Sequence, residues 1–209
     1  MEGIFSLLTG IILGSFPTAY ILLKRYRNID ITENGSGSVG AMNSFRLSKS
    51  KLLAFSVFLI DFLKGMITVY LIELIFGDFF ILKMMGLIGA VLGHCYSFWI
   101  KFKGGRGLAT TAGGALLISY PLVGIWVIMW LIAFAFRRSI HFANFAASLL
   151  TALLALTSAD ILNKYTFPGA DTNFEFSLTV VFLLIIILLK HIEPMKVYIK
   201  QQAEKSRKD

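Results

Sequence analysis

Apolar runs too long for a soluble core decide the solvent of this chain before any motif is read. They stand at residues 1–23, 52–76, 81–100, 108–120, 121–136, 142–158 and 176–189, with charged or glycine-bearing breaks between them. A helix needs about 20 apolar residues to cross a bilayer. In lipid every backbone polar group must be bonded within its own segment or a closed barrel, and apolar runs of this length read as helices. A mean hydropathy of +0.75 and a hydrophobic share of 56% lie above what a soluble domain carries. The predicted fold is all-α: a polytopic membrane bundle of about seven transmembrane helices, in one domain over residues 1–209. The run at 108–120 is short and rich in small residues, so it either just crosses or re-enters.

The first run has a lone acid, Glu2, before it and its cations after it. That polarity predicts a spanning helix, not a cleaved signal peptide. Pro17, following Gly14 and Ser15, predicts a kink near its inner end. Alternate breaks hold nearly all the cations. One set carries Lys24, Arg25, Arg27, Arg46, Lys49, Lys51, Lys101, Lys103, Arg106, Arg137, Arg138 and the tail from Lys190. The other carries Lys83 and Lys164, offset by Asp78, Asp160, Asp171 and Glu175. The asymmetry predicts an N-terminus outside and a C-terminus in the cytoplasm. The net charge of +8 is thereby explained by topology, without a nucleic acid as partner. Lys196, Lys200, Lys205, Arg207 and Lys208 in the tail suit an anionic lipid surface. No inverted repeat of the transporter kind is visible.

Two glycine-rich stretches carry the chemistry, both on the cationic side. The first runs Gly35-Ser36-Gly37-Ser38-Val39-Gly40 and is followed by Asn43 and Arg46. Its letters fit a dinucleotide fingerprint, but that motif needs a strand before it and a soluble βαβ unit around it. An anion cradle of freed N–H groups and hydroxyls is the surviving reading; a flexible linker is the plain alternative. The second runs Lys101-Phe102-Lys103-Gly104-Gly105-Arg106-Gly107, leading into Thr110. Cations could merely anchor a span, but anchoring does not require three glycines in four positions. Phosphate binding does use both features.

Other polar residues allow two readings. Asp61 and Lys64, three apart in an apolar run, share one helix face; they are a structural ion pair or part of the catalytic apparatus. His94 is a hydrogen-bonding core histidine, an acid–base group or a ligand, and its spacing favours the first. His141 and His191 follow basic breaks on the same side, without metal-ligand spacing. The single Cys95 allows no internal disulfide. No G-x-S-x-G elbow and no H-x4-D arrangement appears, so no protein nucleophile with a paired base is visible. No metal or cofactor is implied.

Together these motifs resemble the PlsY family of bacterial acyl-phosphate:glycerol-3-phosphate acyltransferases, over nearly the whole chain. Gly14-Ser15-Phe16-Pro17 with Tyr20 resembles its first-helix signature. Gly35-Ser36-Gly37, Gly40-Ala41 and Asn43-x-x-Arg46 resemble its first loop motif, and Asp61-x-x-Lys64-Gly65 its second-helix signature. Gly93-His94 and the block from Lys101 to Thr110 resemble its glycine-rich motif; His191 and Glu193 match the start of its last one. The resemblance implies an inner-membrane enzyme, active on the cytoplasmic side and without a cofactor. It takes acyl phosphate and glycerol 3-phosphate among membrane lipids and releases lysophosphatidic acid and phosphate. The implied assignment gives Ser36, Asn43, Arg46, Lys103 and His191 catalytic roles. Gly35, Gly37, Gly40, Lys101, Gly104, Gly105, Arg106, Gly107 and Thr110 would bind substrate phosphates. Asp61, Lys64, His94, His141 and Glu193 would brace the site. The chain departs from the family pattern at Ser38-Val39, at Arg106 in place of Lys, at His141 in place of Ser, and at Pro194 and Gln201 in the last motif. Two alternatives stand beside the enzyme: a membrane transporter of a small organic phosphate, and a non-catalytic paralogue that binds lipid phosphates.

Overall fold

The structure is a computed structural model that describes residues 1–204 and the backbone of Lys205. Arg207 and Lys208 of the basic tail, and the Lys205 side chain, lie outside the described residues. The described residues are helical, with no strand among them. In chain order the helices are α1 (Glu2–Gly14), α2 (Thr18–Arg27), α3 (Ala41–Ser48), α4 (Lys51–Phe76), α5 (Phe80–Cys95), α6 (Leu108–Ile118), α7 (Tyr120–Arg137), α8 (Ile140–Thr157), α9 (Ala159–Lys164) and α10 (Asn173–Lys205). Six stretches are long and apolar enough to cross a membrane: α1 with α2, α4, α5 with the turn after it, α7, α8 and α10. The seventh apolar run forms α6, only 11 residues long.

Two parts of the chain differ from the sequence expectation. The polar 24–51 segment is not one loop; it ends α2, winds through an irregular turn and forms α3. The tail from His191 is not a separate appendage either. It continues α10 without a break through Pro194, which keeps His191 at 1% exposure inside the bundle.

Glycines set the closest helix contacts. In lipid, water does not drive helices together, and small residues that let backbones touch supply the packing. A Cβ on Gly10 would overlap the Gly86 carbonyl, one on Gly14 the Ala90 carbonyl, and one on Gly89 the Leu7 carbonyl, so α1 and α5 pack backbone to backbone. Gly65 and Gly113 do the same between α4 and α6. By contrast the long faces of α7 are mostly exposed, as a lipid-facing helix should be.

The kink expected at Pro17 is a full break between α1 and α2. Its freed carbonyls find partners from distant helices. Ser97 Oγ donates to the Ser15 carbonyl, and Lys64 Nζ donates to the Phe16 carbonyl at 3.3 Å. Such rescue is what tolerates broken helices at membrane depth. Far from this break, Lys83 is buried between Glu73 and Asp78, a clamp between α4 and α5. On that same far side Phe167 N donates to the Ile118 carbonyl at 2.8 Å.

Because α1 and α5 touch at the backbone, Gly89→Val should destabilise the detergent-solubilised protein by about 1–3 kcal/mol through overpacking. Its melting temperature should fall by several degrees. Gly3→Val, where nothing lies within 4 Å of an added Cβ, should melt like the parent.

Candidate active site

The two glycine-rich loops meet. Val39 N donates to the Gly104 carbonyl at 3.0 Å, and Gly105 N donates to the His94 carbonyl at 3.0 Å. Gly105 lies so close to the His94 ring that an added Cβ would overlap Nε2, so only glycine fits there. In the first loop Gly35 has φ of +65° and its missing Cβ leaves room for Asn43 Oδ1. Asn43 is 2% exposed, and its amide is spent on the loop. Oδ1 accepts from Ser36 N at 3.1 Å, and Nδ2 donates to the carbonyls of Asn34 and Ser38, each at 3.1 Å. Asn43 therefore orients the loop backbone that presents Ser36 and Ser38.

Between these loops and the ends of α7, α8 and α10 lies a cavity of about 490 Å³. One wall carries Ser36, Ser38, Arg46 and Arg106. The other carries His141, Asn144 and His191. Asp61 and His94 reach it from beneath. Asp61 is committed to Lys64 at 2.8 Å and lies 3.7 Å from His94 Nδ1. Neither guanidinium has a carboxylate partner among the described residues. Burial, and then the nearby charge of Arg46, hold the Arg106 guanidinium below its ordinary pKa. The two unpaired cations repel each other, and a charge of this kind in a cavity suits an anion.

Several residues expected at the site stand elsewhere. Lys101 and Lys103 are exposed and outside the lining, because Lys101 and Phe102 take left-handed backbone conformations that turn the loop outward. Thr110 is buried behind the loop against Gly65. Lys64 lies beneath the cavity, on Asp61 and the Phe16 carbonyl. Glu193 is exposed and pairs with Lys196 at 2.7 Å. Gly40 and Gly107 do line the cavity.

Other lining residues were not singled out from the sequence. Trp126, Trp130 and Asn144 complete the walls. Trp130 Nε1 donates to Asn144 Oδ1 at 2.7 Å, and Asn144 Nδ2 lies 3.4 Å from His191 Nε2. The available signal was Asn144 itself: a carboxamide in an apolar helix is costly unless something uses it. No group of three His, Cys, Asp or Glu able to hold a metal occurs among the described residues.

The cavity has a second, apolar end. Leu108, Ala112 and Trp126 also line a narrow pocket of about 80 Å³. It runs between α6, α7, α8 and α10 to Ile118 and Phe80 on the far side. A ligand with an anionic head and an apolar tail matches this division.

Comparison with known proteins gives a consistent answer. A family model described as glycerol-3-phosphate acyltransferase matches residues 4–201. A glycerol-3-phosphate acyltransferase of Wolbachia sp. subsp. Brugia malayi (strain TRS) is 34% identical over 194 residues, covering 91% of this chain and 92% of that protein. The crystal structure of PlsY, an integral membrane glycerol 3-phosphate acyltransferase, in its glycerol 3-phosphate form superposes with a TM-score of 0.76 at 27% identity. That match covers 96% of this chain and 94% of the other. The lysophosphatidic acid form of that protein gives a TM-score of 0.75, again at 27% identity, over 96% of this chain and 93% of the other.

If Arg46 and Arg106 are the anion-binding groups, titration calorimetry with inorganic phosphate should show at least ~10-fold weaker binding for Arg46→Ala and for Arg106→Ala. Lys164→Ala, on the far side of the bundle, should bind like the parent.

Proposed function

The chain belongs to the glycerol-3-phosphate acyltransferase family, and from that premise we propose that it moves the acyl group of an acyl phosphate to the 1-hydroxyl of glycerol 3-phosphate. Lysophosphatidic acid and inorganic phosphate are the products. One observation carries this reading: the two unpaired guanidiniums, Arg46 and Arg106, stand at the polar end of a cavity whose other end is apolar. Both substrates carry phosphate, and one carries a chain that needs an apolar slot.

In this mechanism the hydroxyl oxygen attacks the carbonyl carbon of the mixed anhydride. The new ester C–O bond forms as the bond from that carbon to the phosphate oxygen breaks. Phosphate leaves with the electron pair, and the hydroxyl proton passes to His191. The anhydride is already activated, so no protein nucleophile is needed. Arg46 and Arg106 hold the phosphates and stabilise the charge that builds up on the departing one. Ser36 and Ser38, presented by the loop that Asn43 organises, orient the reacting groups. The acyl chain lies along α6 past Ala112. Lys101 and Lys103, exposed beside the cavity, raise the local concentration of anionic substrate. The cations on this side of the bundle support a site at the cytoplasmic surface of a bacterial inner membrane, with the N-terminus outside.

Purified protein in detergent or lipid, given palmitoyl phosphate and glycerol 3-phosphate, should produce lysophosphatidic acid and phosphate in equal amounts. Arg46→Ala and Arg106→Ala should each lower turnover at least ~100-fold. Intact phosphate binding without turnover would refute the enzymatic reading.

Ala112 lies where the polar and apolar parts of the cavity join, so Ala112→Phe should discriminate donors by length. Turnover with palmitoyl phosphate should fall at least ~10-fold and with butyryl phosphate less than ~3-fold, measured side by side. Equal losses would remove the apolar pocket as the chain's path.

A further inference from the structure

The polar wall formed by α7, α8 and α10 contains a chain of hydrogen bonds whose direction is fixed. It begins at Trp130 Nε1, an indole nitrogen that can only donate. Its partner at 2.7 Å must therefore be the oxygen of the Asn144 amide, which settles which way that amide faces. Asn144 Nδ2 is then the atom turned toward His191 Nε2, at 3.4 Å, and Nδ2 can only donate. His191 Nε2 must accept, so it carries a lone pair and no proton. The other ring nitrogen agrees: Nδ1 lies 2.8 Å from the Ile187 carbonyl, which can only accept, so Nδ1 carries the proton. Two independent contacts thus demand the same neutral tautomer. His191 is 1% exposed, and both it and Asn144 line the cavity, so the bare Nε2 is the nitrogen presented there. Arg106 and His141 face the same space.

We propose that Trp130 and Asn144 are positioning residues for acyl transfer. They hold His191 as the Nδ1–H imidazole with Nε2 aimed into the cavity as proton acceptor. This rests on the reading of His191 as the group that takes the hydroxyl proton. The Asn144 contact, at the long limit of a hydrogen bond, occupies the Nε2 lone pair while the site is empty and yields to the glycerol hydroxyl when substrate arrives. Nothing covalent passes through Asn144 or Trp130. The wrong tautomer, or a ring free to turn, would present N–H or C–H where the reaction needs a lone pair.

The chain has only three histidines, His94, His141 and His191, which makes imidazole nitrogen NMR practicable on the full-length protein. With 15N-labelled histidine at neutral pH, and His191 assigned through His191→Gln, the parent should show a protonated Nδ1 and a bare Nε2. Asn144→Asp turns the donor facing Nε2 into an acceptor and should bring a second proton to the ring, so that both nitrogens read as protonated. Trp130→Phe frees the amide to turn and should give a mixture of tautomers. In the acyl-transfer assay Asn144→Ala should lower kcat ~10-fold while KM for glycerol 3-phosphate stays within ~3-fold, and Asn144→Asp should lower kcat further. An Nε2–H tautomer in the parent, or an unchanged His191 spectrum in both Asn144→Asp and Trp130→Phe, would overturn the proposed relay whether or not the protein turns over substrate. The expected spectra with no loss of kcat in either Asn144 variant would overturn the positioning role.

Discussion

A carboxylate and an ammonium buried together in an apolar helix hold this site in place. Asp61 is 3% exposed and Lys64 8%, and neither could remain charged there alone. Their pairing at 2.8 Å is only the start of what they join. Lys64 also donates to the Phe16 carbonyl, which the break at Pro17 leaves without a helical partner. Asp61 approaches His94, His94 supports Gly105, and the neighbouring Gly104 carbonyl accepts from Val39. One ion pair on α4 thereby connects the broken first helix, the end of α5 and both glycine-rich loops. A rigid scaffold of this kind is what catalysis by positioning demands, because misplacement by a fraction of an ångström loses rate steeply.

The short sixth helix completes the arrangement. A helix rises 1.5 Å per residue, so 11 residues span roughly 16 Å, about half of a bilayer core. Its first turn lies directly after Gly107, and Leu108, Ala109 and Ala112 line the cavity. An acyl phosphate has its head at the water boundary and its tail in hydrocarbon. A helix that begins at a basic loop and stops within the bundle would offer one surface to both parts of that proposed donor. Backbone contact with α4, through Gly65 and Gly113, leaves the opposite side of α6 free to face the pocket.

Much of this could be read in advance because it follows from composition and spacing. Long apolar runs in lipid permit only helices, and the six long spans and the short α6 followed. The facing of the two glycine loops was legible in their shared cationic side. What failed depended on local backbone geometry. Lys101 and Lys103 sit among the same glycines as Arg106, yet left-handed turns at Lys101 and Phe102 send them outward. Sequence spacing does not record that. Asn43 reads as an orienting group, and what the spacing does not record is that its buried amide orients the loop's own backbone. The last apolar run ends at residue 189 in the sequence, but packing carries α10 on through Pro194 and keeps His191 in the bundle. Asn144 and Trp130 were hidden in apolar helices where attention goes to charge.

The cavity is also identified by what is left unmatched. Four cations among the described residues are buried or half-buried: Lys64, Lys83, Arg106 and Lys190. Lys64 has Asp61, Lys83 has Glu73 and Asp78, and Lys190 donates to the Cys95 carbonyl at 3.0 Å. Arg106 has no such partner. Across from it His141 Nδ1 is buried without a hydrogen bond, and Arg46 adds a second uncompensated charge. A chain that satisfies its other shielded cations so completely has reason to leave these unsatisfied. The missing interactions are those a phosphate provides: several anionic oxygens that can accept from two guanidiniums and an imidazole at once. The cavity is thus a deficit of negative charge at a place where the proposed substrates, both phosphates, would supply it.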